Sequence, residues 1–164
     1  MKNMGMKAIV PILLLATILI LGCSEDGSNP SASDLNPVDQ NYSEIEWVNS
    51  AYIFDNPEMK KLSLLYFTDD TCTFGRYLRD TTFVDQRVMN TINNNFNPLY
   101  LSTAADSTMP FLGMTLTGNE IFKQYNLVGV PSIMILNDHY QNVGRIRGYF
   151  PPDSFLVLLN NYIN

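Results

Sequence analysis

The chain has 164 residues, 46% of them hydrophobic and 16% charged, which is enough for one compact domain with a sizeable core and short of a comfortable second. Its formal charge is −6, and so acidic a surface disfavours nucleic acid and anionic lipid head groups as partners.

The first 22 residues stand apart. Lys2 and Lys7 precede the apolar run Ala8 to Leu21, the pattern of a signal-peptide core, too short for a comfortable membrane span. The run ends in Ile20-Leu21-Gly22-Cys23, which resembles the bacterial lipobox. That resemblance implies cleavage before Cys23, a lipid on its sulfur and a periplasm-facing location in the cell envelope. Ser24 at the next position leans towards the outer membrane rather than the inner. Losing Lys2 and Lys7 leaves eight basic residues against 16 acidic ones, so the mature charge becomes −8. The lipid, and no basic patch, is then the membrane anchor. Residues 24–41 are rich in Ser, Asp, Asn and Pro without apolar periodicity. They read as a flexible tether reaching about 20–25 Å.

The chain has two cysteines. With Cys23 taken by lipid, Cys72 is expected to be the sole free thiol, with no intrachain disulfide.

The folded domain is expected over 42–164. Ser43 and Glu46 have capping-box spacing ahead of Ile45, Val48 and Tyr52, predicting a helix there. Leu62 to Thr68 is a continuous apolar run suited to a strand buried on both faces. A helix is predicted from Cys72 to Arg79 and a second from Asp85, its N-cap, through Val88, Met89 and Ile92. Asn97 to Ser102 reads as a short strand. Thr103 to Gly118 reads as a long insertion tucked onto the domain, with a docking surface or flap as the alternative. Asn119 to Asn126 reads as a short helix capped near Gly118 or Asn119. Pro131 to Asn137 and Val143 to Phe150 form a predicted hairpin, and Pro152 opens a last helix with Phe155, Leu156, Leu158, Leu159 and Ile163 on its apolar side. A βαβ unit followed by a ββα unit predicts an α/β fold: one mixed sheet of about four strands with helices on both faces.

Within that order, Cys72-Thr73-Phe74-Gly75 after the first strand, Val130-Pro131 before a later strand, and Gly144 to Tyr149 before the final helix together resemble the thioredoxin-like superfamily. The resemblance covers about three quarters of the chain. It implies a cis peptide bond at Pro131 and a Val130 backbone facing the cysteine. It makes Cys72, expected to be exposed at the carboxyl end of the sheet, the catalytic candidate, with Thr71, Thr73, Phe74, Val130 and Pro131 as candidate contacts for a protein or peptide thiol or disulfide. No cofactor and no metal are implied. Thr71 stands where that family carries a tryptophan, Gly75 where it carries the resolving cysteine, and Tyr66 near its buried acid. A thiolate can open a disulfide alone, but a second thiol must release the product. A helix N-terminus lowers a thiol pKa, whereas Asp69 and Asp70 oppose ionisation and Arg76 partly compensates.

Two functions follow from these residues. One is a monothiol thiol-disulfide oxidoreductase that depends on an external thiol. The other is a redox-inactive module that binds peptides or an envelope partner along the Val130-Pro131 edge. A homodimer linked through Cys72 is a third arrangement. His139, the only histidine, falls in the predicted hairpin turn, which disfavours a cysteine-protease site. Leu65 and Asp69 occupy the places where one-cysteine peroxidases of related fold carry proline and threonine.

Overall fold

The computed structural model describes residues 45–55 and 62–163. The expected signal peptide, lipidation site and tether, and Ser43 of the expected capping box, lie outside the described residues. In chain order the elements are α1 (Ser50–Phe54), β1 (Leu62–Thr68), α2 (Thr73–Tyr77), α3 (Gln86–Asn95), β2 (Phe96–Ser102), β3 (Thr108–Phe111), β4 (Met114–Thr117), α4 (Gly118–Gln124), β5 (Ser132–Leu136), β6 (Asn142–Arg147) and α5 (Pro152–Ile163).

Four strands form one sheet in the order β2-β1-β5-β6. β1 pairs parallel with β2 and antiparallel with β5, and β5 pairs antiparallel with β6. Sidedness follows from the two-residue period of β1. Leu64 and Tyr66 enter a core with Phe83, Val88, Ile92, Ile133, Phe155 and Leu159. Leu65 and Phe67 enter the other with Ile53, Leu101, Phe111, Ile121 and Met134. Burying each of these large side chains stabilises the fold by roughly 1.5–3 kcal/mol, so a strand apolar on both faces is the natural centre of the sheet. The expected mixed α/β layering is the observed one.

Several boundaries differ from expectation. The first helix starts at Ser50, where the Asn49 side chain accepts from the Tyr52 N–H. Trp47 and Val48 instead run as non-helical chain, and Val48 donates to the Pro98 carbonyl at 2.8 Å. The helix after Cys72 ends at Tyr77 and continues as a π-helical turn, Leu78–Thr82. The Thr103 to Gly118 connection contains an antiparallel hairpin, β3 with β4, turning at Leu112 and Gly113 with φ of 49° and 79°. α4 is capped by Thr117, one residue before the expected cap, through a capping box with Glu120. Asp85 caps α3 as its sequence position predicts.

Candidate functional site

β1 ends at Thr68, and the chain turns through Asp69 to Thr71 before α2. The Asp69 carboxylate holds this turn, accepting from the Thr71 N–H at 2.9 Å and the Thr71 hydroxyl at 2.7 Å. Its charge is thus directed onto Thr71. Cys72 is the N-cap of α2 and makes no side-chain cap hydrogen bond, so its sulfur is not tied to the helix it begins.

The sulfur lies 3.3 Å from the Val130 carbonyl oxygen. The Val130–Pro131 bond is cis. Next to it, the Pro131 carbonyl accepts from the Gly148 N–H at 2.9 Å, which ties the loop to the end of β6. Three segments far apart in sequence therefore meet at Cys72, Val130-Pro131 and Gly148.

Two expectations about Cys72 are corrected. The strand-to-helix position suggests an exposed sulfur, yet Cys72 is only 2% exposed. Cysteine counting suggests a free thiol, whereas the sulfur is disulfide-bonded and no described cysteine is free. The one other cysteine of the chain is Cys23, which lies outside the described residues. A disulfide sulfur carries no proton, so its approach to the Val130 carbonyl is a packing contact in this state. After reduction, the same position would let a thiol donate to that oxygen.

The space beyond Cys72 explains how the chain tolerates Gly75 where the resemblance places a second thiol. A Cβ built on Gly75 would collide with the Thr68 hydroxyl and come within 3.4 Å of the Tyr66 hydroxyl and 3.5 Å of the Cys72 Cβ. Tyr66 itself donates to the Gly75 carbonyl at 3.2 Å. Its ring is fixed by aromatic neighbours, with centroids 6.0 Å from Trp47, 5.1 Å from Phe83 and 5.8 Å from Tyr100. The place of the family's buried acid thus holds a phenol built into an aromatic cluster, and two β1 side chains fill the resolving position.

The outer rim is different. Thr71 and Thr73 are exposed and Phe74 is half-buried. Sequence reasoning missed the aromatic residues that extend this rim. Phe74 and Tyr77 have ring centroids 6.4 Å apart, and Tyr77 and Tyr149 are 5.9 Å apart. Tyr77 is 50% exposed. Its position five residues after Cys72 was the available signal. Tyr149 could be found only from the fold, because the sheet brings the residue after Gly148 alongside α2. His139 sits in the turn after β5, with its side chain 77% exposed, at the opposite end of that strand from Pro131.

A family description, thioredoxin-like domain, matches residues 55–163. The chain belongs to this thioredoxin-like family. Among solved structures, a thioredoxin-fold protein from Helicobacter pylori is similar at 16% identity and a TM-score of 0.60, over 71% of this chain and 80% of that one. A DsbH oxidoreductase matches at 13% identity and a TM-score of 0.59, over 83% and 94% of the two chains. The C-terminal domain of Neisseria meningitidis DsbD in its oxidised form matches at 16% identity and a TM-score of 0.52, over 68% and 87%. A comparison with curated proteins found no match. These likenesses establish a thioredoxin-like domain with the fold of thiol-disulfide oxidoreductases.

Proposed function

We propose that this thioredoxin-like domain belongs to a lipoprotein of the bacterial envelope, facing the periplasm, and exchanges disulfides through Cys72 alone. The lipobox-like sequence before Cys23 and the polar tether support the anchor, and Ser24 favours the outer membrane. The observation that carries the chemistry is the closed space at Gly75 beside a cysteine that itself sits in a disulfide. Such a site supports exchange with another molecule and offers no neighbouring position for internal resolution.

The step is balanced without a cofactor. A Cys72 thiolate attacks one sulfur of a partner disulfide, forms a mixed disulfide and expels the other sulfur as thiolate. An external thiolate then attacks the partner's sulfur in the mixed disulfide, forms a new disulfide with it and expels Cys72 as thiolate. Val130 and Pro131 offer the extended edge for the partner's main chain, and Thr71, Thr73 and Phe74 contact its flanks. A lipid thioether occupies the Cys23 sulfur in the anchored form. In an anchored molecule Cys72 reacts with sulfur from elsewhere.

The second reading, a peptide-binding module without redox turnover, is favoured by the 2% exposure of Cys72. An insulin-reduction assay with glutathione separates the two. Turnover by wild type that vanishes in Cys72→Ser supports exchange. Equal background rates in both proteins sink it and leave the binding module.

A further inference from the structure

Among the described residues β6 pairs only with β5 and closes one side of the sheet. The Gly148 N–H bonds the Pro131 carbonyl, and the register sets Arg147 opposite Ser132, Ile146 opposite Ile133, and Arg145 opposite Met134. Antiparallel pairs alternate between hydrogen-bonded and non-hydrogen-bonded. Gly148 and Ile146 therefore turn their main-chain groups inward to β5, and Arg145 and Arg147 turn theirs outward to the open edge.

The side chains add a second observation. Arg145 and Arg147 are both exposed and, two residues apart, share one face of the sheet. Together with Asn126, Leu127, Val128, Ser132, Ile133 and Ile146 they line a cleft of about 290 Å³. Val128 is 65% exposed at its margin. Neither arginine has a carboxylate within ion-pair distance among the described residues, although the chain carries 16 acidic residues against ten basic ones. Among the described residues, two guanidinium groups without a carboxylate partner and outward main-chain groups thus coincide on β6, beside an apolar wall from the loop before β5.

We propose that β6 is a docking edge for an extended acidic segment of a partner protein, which adds as a fifth strand. Its main chain pairs with the outward groups of Arg145 and Arg147. Carboxylates at alternate positions, all on one face of the added strand, meet the two guanidinium groups. Charge decides the occupant. A second copy of β6 would set arginine against arginine, and like charges opposed across strands are destabilising. The tether's acidic residues, Glu25, Asp26, Asp34 and Asp39, lack the alternate spacing that the arginines require.

The test titrates the full chain with a short capped peptide alternating Glu and Val, followed by calorimetry at low salt. The Glu peptide is expected to bind, and its Lys counterpart not to. Arg145→Glu combined with Arg147→Glu is expected to weaken the Glu peptide about tenfold or more, as two cross-strand charge pairs reverse sign. A Glu peptide N-methylated along one edge is expected to lose binding, which keeps the test decisive even where the double variant fails to fold. Equal binding of the Glu and Lys peptides, unchanged binding by a folded double variant, or full binding by the N-methylated peptide overturns the proposal. So does glutarate binding as tightly as the peptide, or sedimentation showing a dimer that the double substitution dissolves. Binding is read without disulfide chemistry, so either this proposal or the Cys72 reading can fail alone.

Discussion

On its inner side Cys72 faces Gly75, whose missing side chain is replaced by the Thr68 and Tyr66 hydroxyls, while its outer side is rimmed by Thr73, Phe74 and the half-exposed Tyr77. The inner wall is built from the central strand of the sheet and its aromatic cluster. The outer rim consists of a short helix and loops that touch solvent. A second protein sulfur at position 75 therefore has no room. In the exchange reading proposed above, dependence on an external thiol rests on packing as well as on sequence.

The largest effect that could break this contrast comes from Gly75→Cys. Forcing side-chain atoms into the filled space is expected to destabilise the fold by about 1–3 kcal/mol. Non-reducing mass analysis should find little disulfide between Cys72 and the introduced thiol until Thr68→Ala is added. Ready formation of that disulfide in the single variant would show the inner side to be open. Next in size is Tyr66→Phe. It deletes the hydroxyl that donates to the Gly75 carbonyl, and its expected cost is about 1 kcal/mol in urea denaturation. No change would mean that the phenol is incidental to closure.

A smaller effect is expected on the outer rim. Tyr77→Ser should leave stability within about 0.5 kcal/mol, as for most surface substitutions. It should raise the KM for a peptide disulfide while leaving the intrinsic reaction with a small disulfide unchanged. A matching loss with both substrates would place Tyr77 in the inner wall's role instead.

The smallest is a pH effect away from both sides. Hydrogen bonding from the Arg87 side chain, chiefly, holds the Asp85 carboxyl below its ordinary value of 3.8. A folded-state pKa below the unfolded one contributes stability that is present above the unfolded value and lost as pH falls through the folded one. Wild type should therefore lose stability below about pH 3.8 through this cap, and Asp85→Asn should show a shallower acid dependence in thermal melts. An equally steep loss in the variant would remove Asp85 from the account.

Much of this fold is readable from local pattern. Leu62 to Thr68 announces a central strand because it is apolar at both parities, and Asp85 announces a helix because a carboxylate precedes Val88, Met89 and Ile92 at the right spacing. The β3–β4 hairpin escaped because Pro110 interrupts a short strand, where proline usually argues against one, and because its turn relies on Leu112 at a positive φ. Thr117 and Glu120 did carry a readable capping-box spacing, though the helix was expected to start later. At the site, the meeting of Cys72 with Val130 and Pro131 followed from family resemblance. The filling of the Gly75 space did not, since it depends on how Thr68 and Tyr66 on the preceding strand project beneath α2. The disulfide state of Cys72 was likewise hidden, because reserving Cys23 for lipid left no partner within the chain to consider.

The entry of the chain into the domain has a mechanical consequence. Glu46 donates to the Asn93 side chain and Val48 to the Pro98 carbonyl, so the first described residues are moored beside β2, across the sheet from β6. In a molecule anchored through a lipid on Cys23 as proposed, tension along the chain would load that moorage first. A tug would strip Glu46 and Val48 from their acceptors while β5 and β6 stayed slack, which lets that end of the sheet keep its shape.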